Sequence, residues 1–218
     1  MRSASVACIA LALFAAPARA QDPVKVASST YKVIAENEHV RVLRANLAPG
    51  AKTVMHEHPA HLVVSLGAAS VKFTTGDGKT VDVAMKADDV TLMPAGTHAG
   101  ANVGTDPVDV VIVEMKGEPG AASLPPTRPG LKTTVLIDNT RVRAVRASFE
   151  PTFHEPAGST HDYDQVVVML APADVALTLE GKTVSNWKRG DVRLIGRGVA
   201  HETHAGKMAG DVVIIAVK

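Results

Sequence analysis

The stretch MHEHPAHLVV (Met55 to Val64) places three of the chain's nine histidines within six residues and then turns apolar. A further histidine, His98, follows the proline–glycine turn of MPAGTHAGAN. Imidazole is a common ligand of divalent first-row transition ions, so this cluster could build a metal site. The alternative is a group of histidines that bind no metal.

Alternation along a strand predicts which of these side chains point the same way. Residues two apart on a strand share a face, so His56 and His58 project together and Glu57 points away. In the next predicted strand, HLVVSL (61–66), His61 and every second residue after it face one way, and the residues between them face the other way.

Three segments recur at a constant separation of 102 residues, as from Glu36 to Asp138. ENEHVRVLRANLAPG matches DNTRVRAVRASFEP, MPAGTHA matches IGRGVAHE, and VVIVEMK matches VVIIAVK. The sequence therefore predicts an internal duplication, with an N-terminal domain over 31–116 and a C-terminal domain over 131–218. Between them, residues 117–130 are rich in proline and glycine and are predicted to form a linker.

Each predicted domain consists of short β-branched or alternating stretches, such as VRVLRA, SVKFTT and TVDVAM. Glycine and proline turns separate them, and no long segment has the periodicity of an amphipathic helix. The pattern predicts an all-β fold, a sandwich or a barrel in each half.

Residues 1–20, MRSASVACIALALFAAPARA, have the pattern of a signal peptide with a cut after Ala20. The apolar run is shorter than the roughly 20 residues that span a membrane, so a periplasmic or secreted protein is expected. Cys8 is the only cysteine and lies in this leader. The mature chain would then have no disulfide, no catalytic cysteine and no thiolate metal ligand.

The charge balance excludes some partners. The formal net charge is +1, and loss of Arg2 and Arg19 with the leader would make it −1. A near-neutral chain without basic runs does not suit nucleic acid or an anionic membrane. A small-molecule ligand or substrate is the expected partner, for a monomer or a homodimer.

Two motifs resemble those of the cupin superfamily, and because both halves are covered the chain resembles a two-domain cupin, or bicupin. The first motif, G-x5-H-x-H, is matched by Gly50 and HEH (56–58), and the second, P-x-G-x2-H-x3-N, by PAG (94–96), His98 and Asn102. The resemblance implies two tandem small β-barrels with the double-stranded β-helix, or jelly-roll, cupin fold.

The sequence also departs from the motifs. Asp88 takes the place of the opening glycine of the second motif, and one residue fewer precedes His98. No acid follows His58 at the distance of the family's metal-ligating glutamate, and His61 is the nearest replacement.

The resemblance implies that one divalent transition metal ion (Fe, Mn, Ni, Cu or Zn) binds in the N-terminal barrel. Its ligands would be His56, His58, His61 and His98. A shell of neutral nitrogens leaves the ion its full charge, which favours an anionic or enolate-like substrate.

In the C-terminal half the resemblance implies a weaker site of His161, Gln165 and His201, with Asp164 or His204 as helpers. A metal-free pocket or a purely structural domain is the alternative there.

Two functions fit this site. One is a metal-dependent small-molecule enzyme, oxygenase-like or isomerase-like, of which a cupin-type dioxygenase is one version. The other is a non-catalytic exported module that binds a metal or a small ligand, and a scaffold with two inactive sites is a third alternative. No catalytic residue is identified, because Glu57 points away from the metal face and Glu114 is expected on a distant strand.

Overall fold

The computed structural model describes residues 21–118, 120, 122, 124, 128–208 and 210–218. The predicted signal peptide, with Cys8, lies outside the described residues, as do several positions of the predicted linker. Across the described part of the chain, no helix has both the length and the apolar character needed to cross a membrane.

The described residues form one short helix and eighteen strands. The elements of the first half are α1 (Pro23–Val26), β1 (Tyr31–Glu36), β2 (Val40–Leu47), β3 (His56–His58), β4 (His61–Ser65), β5 (Ala69–Thr75), β6 (Thr80–Met85), β7 (Val90–Met93), β8 (Gly96–Asn102) and β9 (Val108–Met115). Those of the second half are β10 (Leu131–Asp138), β11 (Val142–Phe149), β12 (His154–Ser159), β13 (Asp164–Met169), β14 (Val175–Leu179), β15 (Lys182–Val184), β16 (Val192–Ile195), β17 (His201–Ala205) and β18 (Asp211–Val217).

The two halves have the same strand order at a shift of nine strands. Each half has a five-stranded sheet, ordered β1-β2-β9-β4-β7 in the first and β10-β11-β18-β13-β16 in the second. Each also has a four-stranded sheet, β3-β8-β5-β6 and β12-β17-β14-β15. The all-β prediction of two tandem barrels is confirmed. The helix α1 was not predicted, because four residues are too few to show a periodicity.

Alternation along the strands gives each five-stranded sheet two apolar faces. In β9, VDVVIVEM, Val110 and Ile112 pack against the four-stranded sheet and form the interior of the first barrel. Val111 and Val113 point the other way, into a core shared with the second half. Glu114 lies on the same face of β9 as Val110 and Ile112, so its carboxylate points into the barrel interior.

The shared core lies between the two five-stranded sheets, so each barrel turns the back of its larger sheet to the other barrel. It includes Leu62 and Val113 from the first half and Val166 and Ile215 from the second, all fully buried. Burial of one face in the shared core and of the other in the barrel interior explains why β9 and β18 are mostly apolar on both faces.

Polar contacts at the rim of this shared core repeat with the separation of 102 residues. Arg44 donates to the carbonyl of Gly190 at 3.0 Å, and Arg146, 102 residues later, contacts the Asp88 carboxylate at 3.3 Å. Asp88 and Gly190 are themselves 102 residues apart and have φ angles of 67° and 82°. The position therefore needs a left-handed backbone, which aspartate tolerates better than most residues, and this explains the replacement of the motif's glycine.

Candidate metal centre

Strands β3 and β8 bring three imidazoles together. The two strands are antiparallel with His56 opposite His98, and His58 follows His56 on the same face. His56 and His58 are buried and Glu57 is exposed, as the alternation predicts. One ligating atom from each of His56, His58 and His98 lies within 4.8 Å of the other two.

Backbone carbonyls decide which ring nitrogen is free in two of the histidines. The Nδ1 atom of His56 lies 2.7 Å from the Val54 carbonyl, and the Nδ1 atom of His61 lies 2.7 Å from the Pro59 carbonyl. A carbonyl can only accept, so each Nδ1 carries the hydrogen and each Nε2 keeps its lone pair. This is the tautomer that binds a metal through Nε2.

His58 is oriented by a carboxylate instead. Its Nδ1 atom lies 2.6 Å from Glu114 Oε1, and the other oxygen of Glu114 accepts from Arg41, which also pairs with Asp22. Burial alone would raise the pKa of Glu114, but the hydrogen bonds from His58 and Arg41 hold it below its ordinary value. The sequence-based placement of Glu114 on a strand distant from the site is wrong, since β9 pairs with β4 and brings Glu114 opposite His61.

His61 stands beside the close group without being part of it. Its ring centroid lies 4.8 Å from that of His58, and its side chain is buried. The structure therefore gathers three of the four predicted ligands at one point and sets the fourth imidazole next to them.

Tyr31 is a site residue that the sequence reasoning missed. Its hydroxyl lies 3.1 Å from His56 Nε2, and because that nitrogen has the lone pair, the hydroxyl donates. Burial, with the charge of Glu114, raises the pKa of Tyr31, so the phenol stays protonated at neutral pH. A metal bound at His56 Nε2 would replace this hydrogen bond. The Tyr31 hydroxyl would then lie beside the metal site and be free to donate to another acceptor.

Burial keeps the imidazoles in the uncharged form that metal binding requires. Burial lowers the pKa of His56, and it lowers the pKa of His61 to about 4. Burial, together with the other imidazoles, lowers the pKa of His98 to about 3. These histidines are neutral at pH 7, so protons do not compete with a divalent cation there.

A cavity of about 130 Å³ opens from the histidines into the barrel. His58, His61 and His98 line one part of it, and the rest is mainly aliphatic, with Phe73 and Met93 among the larger side chains. Asp89 also lines it, and the described lining residues include no lysine or arginine. The donor set and the mainly apolar cavity fit a divalent transition ion with room for a small molecule beside it.

The second barrel has a different group at the equivalent place. One ligating atom from each of Glu155, His161 and His201 lies within 4.8 Å of the other two. The second predicted ligand, Gln165, is buried but accepts a hydrogen bond of 3.1 Å from Arg128 instead of joining the group.

The predicted helper residues point elsewhere. Asp164 pairs with Arg197 and accepts from Asn37 at 2.7 Å, which joins the two halves. His204 is exposed and contacts the ring of His154, with centroids 4.1 Å apart and ring planes tilted by 32°.

Neither Glu155 nor Arg128 was singled out from the sequence. Glu155 is followed by an irregular segment of β12 that breaks the strand alternation, so parity gave no signal. Arg128 lies in the proline-rich segment that was read as a linker. Burial and the charge of Arg128 lower the pKa of His161 to about 4, whereas the nearby carboxylate of Glu155 raises the pKa of His201.

Comparison with known proteins identifies the fold. Salicylate 1,2-dioxygenase from Pseudoaminobacter salicylatoxidans, in a structure with gentisate, superposes with a TM-score of 0.61 at 13% identity, over 82% of this chain and 68% of that one. A cupin 2 conserved barrel domain protein from Leptotrichia buccalis superposes with a TM-score of 0.60 at 12% identity, over 86% and 88%. No family model and no curated protein matches the sequence.

At such low identity these similarities establish the fold alone, and the protein has the fold of the cupins. Together with the histidine group, the fold supports a metal-dependent cupin.

Proposed function

We propose that the protein is a metal-dependent enzyme that acts on a small molecule in its N-terminal barrel, with oxygenase-like or isomerase-like chemistry. The observation that supports this is the convergence of His56, His58 and His98 beside an apolar cavity. A divalent ion held there supplies Lewis acidity and, if it is redox-active, access to dioxygen chemistry. Of the candidate ions, Fe(II) suits the oxygenase version and Zn the isomerase version.

The chain's own residues would hold and orient the reactants. Glu114 fixes the ring of His58 and increases its basicity through the Nδ1 hydrogen bond. The protonated hydroxyl of Tyr31 is placed to donate a hydrogen bond to an oxygen of the substrate. The aliphatic walls exclude water, which strengthens both interactions.

The cavity limits the substrate class. Its volume of about 130 Å³ is close to the roughly 150 Å³ of an apolar cavity that holds benzene, so one small ring fits. Without a lining lysine or arginine, an anionic oxygen of the substrate would meet the metal and the hydroxyls of Tyr31, Thr30, Ser65 and Thr91, but no cationic side chain. An enol, phenol or diketone with a small apolar body satisfies these conditions. The dioxygenase with bound gentisate, similar in fold, supports a small-molecule substrate.

The test is a double substitution, His56→Ala with His58→Ala. Loss of two imidazoles should abolish metal loading and any metal-dependent oxygen uptake or isomerisation with a panel of small enols and phenols. The matched control is His154→Ala with His204→Ala, which removes two exposed histidines outside the group. Elemental analysis after dialysis against a chelator measures the metal, and full metal content in the His56/His58 variant would contradict the assignment.

The alternative is a non-catalytic module that stores the metal or binds a small ligand. The observation in its favour is His61, which stands close enough to His58 to become a fourth nitrogen ligand after a small shift. The absorption spectrum of the Co(II)-substituted protein separates the two functions. A closed tetrahedral shell that does not change with added ligands supports storage, and a spectrum that changes with small anions supports an open enzyme site.

Export remains part of this proposal. We expect the protein isolated from its native cell to begin at Gln21 and to be periplasmic or secreted. Intact-mass measurement and cell fractionation test this expectation, and a chain that retains residues 1–20 in the cytoplasm would contradict it.

A further inference from the structure

A guanidinium group lies among the candidate ligands of the second barrel. Arg128 Nη1 donates to Glu155 Oε1 at 2.8 Å. Its Nη2 atom contacts the Tyr163 hydroxyl and lies 3.1 Å from Gln165 Oε1 and 3.5 Å from His161 Nε2. The side chain is 16% exposed, so most of this cation is removed from water.

The residues around this guanidinium are also a chemically complete ligand set. Two imidazoles and one carboxylate, here His161, His201 and Glu155, form the type of site that binds Fe(II) and other divalent ions. The His201 side chain has no exposed surface, its Nε2 atom has no hydrogen-bond partner among the described residues, and that atom lies 3.5 Å from Glu155 Oε2. A buried nitrogen without a partner beside a carboxylate is what a metal site without its ion presents.

We propose that Arg128 is the resident cation of the second barrel: it occupies the metal position, and its removal opens a site for a divalent transition ion at Glu155, His161 and His201. The guanidinium is permanently charged and repels a second cation. Its hydrogen bond also engages Glu155, the one anionic ligand of the set.

The surrounding space agrees with a closed site. The two cavities of the second barrel that Arg128 lines measure about 60 and 30 Å³, against about 130 Å³ in the first barrel. Phe149, Phe153 and Trp187 fill the rest of its interior. The second barrel therefore offers a latent metal site without a substrate-sized cavity beside it.

The test uses Zn(II) alone as the probe, in the full chain with His56→Ala and His58→Ala so that the first site is absent. In this background we expect no tightly bound Zn(II) after dialysis. Adding Arg128→Met should allow one Zn(II) per chain to bind in the second barrel. Adding His161→Ala to that variant should abolish this binding. The matched control is Arg143→Met, which removes a similarly buried arginine that lines one of the same cavities and should restore nothing.

Two results would overturn the proposal. One is a folded Arg128→Met variant, by near-ultraviolet circular dichroism, that binds no additional Zn(II). The other is a chain with native Arg128 that loses a metal equivalent when His161 and His201 are replaced by alanine. If Arg128→Met does not fold, Arg128→Gln can be used to measure the gain of Zn(II) binding. The metal content of the His161→Ala/His201→Ala variant can be measured without any change at Arg128. Because neither readout needs the first site, failure of the proposed function would appear separately, as a native chain without metal.

Discussion

At the scale of single residues, the imidazoles are fixed by acceptors that the chain supplies locally. His56 and His61 each donate from Nδ1 to the carbonyl two residues earlier, and His201 has the same arrangement at 3.2 Å. His58 differs, because its partner is the buried carboxylate of Glu114. An ionised partner makes the ring a stronger ligand than a carbonyl does, so His58 is expected to dominate metal affinity.

Substitution Glu114→Gln tests this role of the carboxylate. The amide can still accept from His58, but it lacks the charge that pairs with Arg41. Metal affinity should fall by about 10- to 100-fold, measured by competition with a chelating dye. Glu57→Gln is the control, since Glu57 is exposed on the opposite face of the same region, and an equal loss in both variants would contradict the role of Glu114.

The lowered histidine pKa values predict how stability depends on pH in the metal-free chain. The pKa values of His61, His98 and His161 lie near 4, 3 and 4, against about 6.5 in the unfolded chain. Between about pH 6.5 and 4 the unfolded chain therefore binds more protons, so stability should fall as the pH falls through this window. The raised pKa of His201 has the opposite effect on stability, but it is one histidine against three with lowered pKa values.

Urea unfolding at several pH values measures this dependence. The variant His98→Asn should show a shallower slope because one group with a lowered pKa is lost. Stability that stays constant or rises toward pH 4.5 would contradict the prediction.

At the scale of elements, the turn before β10 positions Arg128. Gly130 has a φ of 75°, and a Cβ there would lie 2.7 Å from the backbone of Phe153. The Leu131 amide donates to the Arg128 carbonyl at 3.1 Å, which closes the same turn. The segment read as a linker thus ends in a tightly packed turn that holds a charged side chain inside the second barrel.

Substitution Gly130→Ala should destabilise the fold more than Gly181→Ala. Both glycines have left-handed backbones, with φ of 75° and 74°, but nothing lies within 4 Å of a Cβ at Gly181. Gly181→Ala should cost about 1–2 kcal/mol for conformation alone, and Gly130→Ala should add about 1–3 kcal/mol for the clash. Chemical unfolding measures both, and equal losses would show that the contact with Phe153 relaxes freely.

At the scale of the whole molecule, the shared core makes one unit of the two barrels. It is formed by the backs of the two five-stranded sheets, with reciprocal arginine contacts at its rim. We expect both halves to unfold in one transition, since either half alone would expose this apolar face.

Substitution Leu62→Ala tests the shared core. Leu62 is fully buried there, so its truncation should cost about 2–5 kcal/mol of unfolding free energy. Leu92 pairs with Leu62 in register but is 39% exposed, and Leu92→Ala should change stability by about 0.5 kcal/mol or less. Tryptophan fluorescence reports from Trp187 in the second barrel, and a transition that does not shift in Leu62→Ala would show that the halves unfold independently.

Local alternation was sufficient to predict much of the first site. The inward direction of His56 and His58, the outward direction of Glu57, and the two faces of β4 follow from a period of two. The partners of these residues did not follow, because Glu114 reaches His58 through pairing of strands that are about fifty residues apart in the chain. Arg128 was missed for another reason, since composition indicates a turn-rich segment and says nothing of where a side chain from it ends.

The rim contacts have a consequence for how much the two barrels can differ. In a symmetric homodimer every substitution appears twice, so a change that suits one site is imposed on the other. Here Arg44 meets a glycine carbonyl while Arg146 meets an aspartate, and each side is encoded separately. A single polypeptide can therefore keep an imidazole cluster in one barrel and a buried guanidinium in the other, with both still joined by the same architecture.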